Sequence, residues 1–182
     1  MKLPVIICAL YGITCLASEV KSYPTDGVDF SRVRTYHWFP VKILTKAGII
    51  EDDPEVSPLV RTAVDRELKK KGFTQVADGM DVQIATLVLQ KAEPQIEAII
   101  FGPAVWPGSS WSTGPVSTVG RYNHMGSLFV NMIDPRVNKS VWVGMTTKAL
   151  GKPANRASDI DKAASDLFKK YPGKSKKDPG KP

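Results

Sequence analysis

Cysteine is almost missing from this 182-residue chain, and the two that occur, Cys8 and Cys15, both lie in its opening run MKLPVIICALYGITCLAS. That run has Lys2 at the front, an apolar stretch from Leu3 to Leu16 and small residues at Ala17 and Ser18. This is the layout of a secretory signal peptide. The stretch is shorter than the roughly twenty apolar residues that cross a bilayer as a helix, and Glu19 and Lys21 follow at once. Cleavage near Ala17 or Ser18 is therefore expected, with residues 1–18 removed and the rest exported to the periplasm. The mature chain then has no thiol, which excludes disulfides, thiolate zinc sites and cysteine nucleophiles together. The alternative is a lipid-anchored envelope protein with Cys15 as the lipidated residue; Thr14 stands just before it, where such processing prefers Gly, Ala or Ser.

Histidine is as scarce, with only His37 and His124. The chain has no G-x-S-x-G elbow, H-E-x-x-H pair, phosphate-binding glycine loop or calcium loop. His37 lies in an alternating run between Tyr36 and Trp38, where a structural role is the expectation. No catalytic residue, cofactor or metal site is assigned. Positive charge is plentiful at +7, yet it is not spread over the body. Lys169 to Pro182 has six lysines and one aspartate, Lys2 adds one more, and Glu19 to Phe168 is left with 18 basic and 17 acidic residues. A near-neutral body argues against a nucleic-acid groove built into the fold.

The body has ordinary globular composition, 42% hydrophobic and 24% charged, and its length suits one domain, residues 19–171. Turn chemistry at Pro24 to Gly27 precedes a strand that places Val33, Thr35 and His37 on one face, Arg34, Tyr36 and Trp38 on the other, and stops at Pro40. The acidic stretch with Glu51, Asp52, Asp53 and Glu55 reads as a solvated loop ahead of a helix. That helix spans Ser57 to Lys71: Ser57 as cap, Pro58 at the first position, Gly72 just past the end, and Leu59, Val60, Ala63, Val64 and Leu68 along one side. Asp65 and Lys69 are spaced for a weak ion pair. Asp81 to Lys91 reads as a long strand apolar on both faces, and Gln95 to Phe101 continues as another. Gly126 to Leu150 reads as a hairpin turned by Asp134, Pro135, Asn138 and Lys139. A last helix from Ser158 to Tyr171, capped by Asn155 or Ser158, has Ile160, Ala163, Ala164, Leu167 and Phe168 at helical spacing.

Two stretches differ in kind. Gly102 to Gly120 is dense in Gly, Pro and Ser and holds Trp106 and Trp111; a loop this long is a candidate binding loop, and the competing role for its tryptophans is a lid over the sheet. Residues 172–182 form a tail without a core-forming side chain, expected to be disordered. Its Lys174, Lys176, Lys177 and Lys181 suit weak contact with a membrane surface or an anionic envelope polymer; a merely solubilising tail is the plainer role.

Three separated pieces, DFSRVRTYHW at Asp29–Trp38, the SPLV…ELKKKGF helix at Ser57–Phe73 and GSLFVNMIDPRVNKSVWVG at Gly126–Gly144, together resemble the bacterial family called domain of unknown function 4136. The resemblance implies an exported, lipoprotein-like envelope protein with an antiparallel sheet backed by helices, and no defined catalytic residues. One departure is Asn138, where the family's turn places Gly. The expected fold is α+β: an antiparallel sheet of about four to five strands with two helices packed on one face. The expected function is a non-enzymatic envelope protein that binds a protein or envelope polymer. The alternative is a small-ligand-binding protein or enzyme with a pocket between the sheet and the 102–120 loop.

Overall fold

The computed structural model describes residues 20–45, 47–89, 126–146 and 155–173. In chain order they form β1 (Val20–Pro24), β2 (Thr35–Thr45), β3 (Gly48–Glu51), α1 (Ser57–Lys70), β4 (Thr74–Gln75), β5 (Val82–Leu89), β6 (Ser127–Asp134), β7 (Lys139–Thr146) and α2 (Arg156–Lys169). The strands make one seven-stranded sheet in the order β1-β7-β6-β5-β2-β3, with β4 added to β2.

The expected sheet of four to five antiparallel strands is thus too small and too uniform. Strand β5 lies parallel to β2, with Tyr36 opposite Val82 and Leu44 opposite Leu89, and β4 is also parallel to β2. The cause is α1, which carries the chain from the end of β2 back to the start of β5; a strand–helix–strand crossover of this kind returns the second strand parallel to the first. The pairs β5–β6, β6–β7, β7–β1 and β2–β3 are antiparallel. Strands β1 and β3 are the edges; β1 fills the stretch between the expected leader and the turn at Pro24, and β3 lies in the expected connection before α1.

Pro40 does not end β2. The strand runs on to Thr45 through a register irregularity between Trp38 and Val41. On the side of β2 away from β5, β4 pairs with Thr35 and Tyr36, and β3 pairs only from Lys42 onward. Pro40 falls in the gap between them, exposed, where its missing N–H costs no ladder hydrogen bond.

Both helices lie on one face of the sheet. Their side chains Val60, Val64, Leu68, Ile160, Leu167 and Phe168 share a core with Trp38, Ile84, Val88, Met132 and Trp142. Each fully buried Leu, Ile or Phe there contributes roughly 1.5–3 kcal/mol relative to exposure. Leu44, Ala85, Leu87, Leu89, Phe129, Ile133 and Met145 form a second apolar cluster. Along β5 the two clusters alternate residue by residue, so the central strand is buried on both faces, as its double apolar pattern implies.

The termini of α1 show how local chemistry is assigned. Ser57 is not the cap: Val56 holds that position without a side-chain bond, and in the turn before it Asp53 Oδ1 accepts the Glu55 and Val56 N–H groups at 3.0 and 2.9 Å. Ser57 is the first helical residue, buried, and its hydroxyl has no partner. At the other end Gly72 takes φ +87°. Phe73 N–H then reaches Leu68 O and Gly72 N–H reaches Lys69 O, both at 3.0 Å, the pairing of a Schellman motif. In the β6–β7 turn Asn138 adopts φ +53°, the left-handed conformation anticipated for it. Helix α2 starts two residues before Ser158, which donates its hydroxyl back to Asn155 O at 2.9 Å.

Candidate functional site

The residues singled out for binding, Trp106, Trp111, Cys15, Lys174, Lys176, Lys177 and Lys181, all lie outside the described residues, as do His124 and the strand expected at Gln95–Phe101. The base from which the 102–120 loop departs is described. Leu89 ends β5 and Gly126 precedes β6, and Gly126 N–H donates to Leu89 O at 2.8 Å. Leu89 also pairs with Ser127 across the ladder. The segment 90–125 therefore leaves and rejoins the sheet at one point, between two central strands. Leu87, Leu89, Phe129 and Leu44 pack at that end.

On the same face, next to Ala85 in the register, stands Asn131. It is fully buried; its Oδ1 accepts the Ser140 hydroxyl at 2.6 Å, and its Nδ2 has no hydrogen-bond partner. Thr86, on the helix side, is also fully buried with an unpartnered hydroxyl. Such groups cost about 1–3 kcal/mol each when left unsatisfied.

The carboxylates near the sheet hold backbone and packing rather than converge on a reaction centre. Asp65, spaced for pairing with Lys69, turns toward the sheet instead: its Oδ1 accepts Tyr36 OH at 2.7 Å and Trp38 Nε1 at 2.8 Å. Burial, and then the bond to Asp65, push the Tyr36 hydroxyl well above its ordinary pKa. Asp81 Oδ2 accepts the Arg34 and Thr35 N–H groups at 2.8 and 2.9 Å. Partial burial works to raise its pKa, and these donors outweigh it and hold the carboxyl below its usual value. His37 bonds Val76 O through Nδ1 at 3.1 Å, the structural role expected of it.

The acidic stretch before α1 is not merely solvated. Glu51 pairs with Lys42 at 3.1 Å, Asp52 with Arg61 at 3.0 Å and Glu55 with Arg156 at 3.7 Å, while Asp53 fixes the turn leading into the helix. Asp52 sits at φ +48° and also accepts Val41 N–H at 3.0 Å. Arg61 stacks 4.9 Å over the Trp38 ring and reaches Phe39 O, so α1 secures β2 where its register shifts. Among the described residues no group of three His, Cys, Asp or Glu side chains is placed to hold a metal ion. No helix among them is long and apolar enough to cross a membrane.

Among the described residues, a mixed seven-stranded sheet backed on one face by two helices, with acidic side chains that hold turns and strand ends, defines an α+β domain. The chain belongs to the family "Domain of unknown function (DUF4136)", whose model matches residues 20–173. A DUF4136 family protein from Bacteroides thetaiotaomicron is 15% identical over 84% of this chain and 94% of that chain, with a TM-score of 0.58. A PDZ domain protein from Parabacteroides distasonis is also 15% identical, over 87% of this chain and 37% of that one, with a TM-score of 0.54. At these identities the likeness concerns the fold alone. No curated protein matches this chain.

Proposed function

We propose that this chain is an exported, non-enzymatic cell-envelope protein that binds a protein or envelope polymer through the segment carrying Trp106 and Trp111. The observation that carries the reading is the root of that segment. Its two ends are joined by the Gly126–Leu89 hydrogen bond, so the segment is rooted on two adjacent central strands of the sheet. Long connections in compact domains are uncommon and are disproportionately functional, and Trp supplies large contact area with one polar handle. Export rests on the signal-like run before Ala17 and Ser18, with lipid anchoring through Cys15 as the alternative.

A second reading is favoured by one atom. The unpartnered Asn131 Nδ2, midway along β6 on the apolar face that also carries Leu89 and Phe129, is the kind of lone polar group with which a small-molecule pocket orients its ligand.

Cross-linking in intact cells, followed by mass spectrometry, tests the leading reading. Deleting residues 102–120, or converting Trp106 and Trp111 to Ala, is expected to abolish partner recovery while the thermal midpoint shifts little; unchanged recovery sinks it. The same spectra report the mature N-terminus. A start at Ser18 or Glu19 fits the soluble periplasmic reading, and a fatty-acylated Cys15 peptide overturns it.

A further inference from the structure

Two lysine runs, Lys69–Lys70–Lys71 and Lys169–Lys170, are about a hundred residues apart in sequence and close together in the fold. Helices α1 and α2 run side by side in the same direction: Glu55, just before α1, pairs with Arg156 at the start of α2, and Arg66 pairs with Asp161 at 3.1 Å. Their C-terminal ends therefore coincide. Phe73 and Tyr171, just past the two helices, meet edge to face with ring centroids 5.8 Å apart. Lys69, Lys70, Lys169 and Lys170 are exposed and Lys71 is half-buried.

The lysines exceed what the helix ends require. Glu67 neutralises Lys70 and Asp166 neutralises Lys169, each at 2.7 Å. Among the described residues, Lys69, Lys71 and Lys170 have no ion-pair partner. Two helix C-termini together present roughly one unit of negative partial charge, so an excess of positive charge remains. Lys69–Lys71 and the stretch Lys169–Pro182 together carry a net charge one unit larger than the whole chain's +7, leaving the rest slightly acidic.

The position of this end matters. The Phe73–Tyr171 contact lies beside the start of β2, where Thr74 pairs with Thr35, and beside Trp142, opposite Pro24 at the end of β1. Val20 pairs with Thr146 and Leu89 with Ser127 at the other end of the strands. The chain's entry into the sheet and the root of the 90–125 segment are therefore at the end opposite the lysines.

We infer that the shared C-terminal end of α1 and α2 is a second interaction surface, one that takes an acidic polysaccharide through Lys69, Lys71 and Lys170. Lysine ammonium groups are point charges that attract anionic groups without a fixed geometry, and among the described residues no aromatic is exposed for base stacking. Among the described residues, the one exposed large apolar side chain at this end is Val137, in the β6–β7 turn, too little area to add to charge for attachment to a bilayer. The surface does not depend on the Trp106 and Trp111 reading, because it lies at the opposite end.

The test is binding of the mature chain to polygalacturonate, with vesicles containing phosphatidylglycerol as a comparison, at about 20 and 200 mM salt. The triple variant K69Q/K71Q/K170Q, a deletion of residues 174–182, and the Trp106 and Trp111 double variant are measured beside it. The expected result is salt-sensitive polymer binding, weakened roughly tenfold or more by the triple variant and unchanged by the tryptophan changes. Equal binding by the triple variant, loss only on deleting residues 174–182, attachment to the vesicles but not the polymer, or no binding at low salt would each overturn the inference. Circular dichroism of the triple variant excludes loss of fold as the cause.

Discussion

Tyr36 and Tyr171 are both buried on the helix side of the sheet, and their hydroxyls are treated differently. Tyr36 donates to Asp65, whereas the Tyr171 hydroxyl, among Phe30, Phe73, Trp142 and Phe168, has no hydrogen-bond partner. A hydrogen bond to a charged acceptor contributes about 1.5–3 kcal/mol, and a buried polar atom without one costs stability. Tyr36→Phe should therefore destabilise by roughly 1–2 kcal/mol, and Tyr171→Phe should be neutral or stabilising by up to about 1 kcal/mol. Urea midpoints at unchanged slope decide between them; a Tyr171→Phe loss equal to that of Tyr36→Phe would show that the Tyr171 hydroxyl is bonded after all. In sequence the two tyrosines look alike, because each is an aromatic at an apolar position. The same blindness hid the start of α1: Ser57 opens the helix, and only the backbone path shows that Asp53, four residues earlier, accepts the N–H groups of the turn leading into it.

At the scale of elements, β7 and α2 pack tightly at Gly144. A Cβ added to Gly144 would lie 2.5 Å from Trp142 Cη2 and 2.8 Å from Leu167 Cδ2. Trp142 is fully buried and its Nε1 donates to the Ser22 hydroxyl at 2.9 Å, which ties the ring to β1 and limits how it can give way. Gly144→Ala is expected to destabilise by about 1–3 kcal/mol, the cost of overpacking a filled core, and to perturb the near-ultraviolet signal of Trp142. A thermal midpoint within a degree of the wild type would mean that α2 slides away freely. Elements of this kind were legible in proportion to their length and contrast. Helix α1, β5, the β6–β7 hairpin and α2 follow their apolar periods closely. The parallel pairing of β2 with β5 was not legible, since a period of two reports which face is buried and nothing about the direction of the neighbour. Edge strands β1 and β3, with no fully buried residue, had no apolar contrast to reveal them.

The whole molecule has two unlike ends, one where the 90–125 segment is rooted and one where two helices bring their lysines together. Both lysine runs are plain in the sequence, but their meeting depends on the parallel course of α1 and α2, which no local pattern encodes. The tryptophans singled out by composition lie outside the described residues, so the candidate binding loop is known by its base. Titration acts on the molecule from both sides of neutrality. At Asp52 and Asp81 burial raises the pKa, and it is outweighed by donors from Val41 and Arg61 and from Arg34 and Thr35; at Asp134 the Arg136 guanidinium leads, and all three carboxyls end below 3.8. A carboxyl depressed in the folded state contributes stability above its unfolded pKa and loses it as pH falls through the folded value. Burial raises Tyr36 and Tyr171 above 10.0, Tyr36 further through Asp65. A tyrosine raised in the folded state contributes below its unfolded pKa and loses that contribution as pH climbs through the folded value. Stability should therefore be flat between about pH 5 and 9 and decline on both sides. Urea midpoints from about pH 2 to 12 measure it, with Asp81→Asn flattening the acid limb and Tyr171→Phe the alkaline one. An acid limb unchanged by Asp81→Asn would mean that its two backbone bonds do not survive in solution.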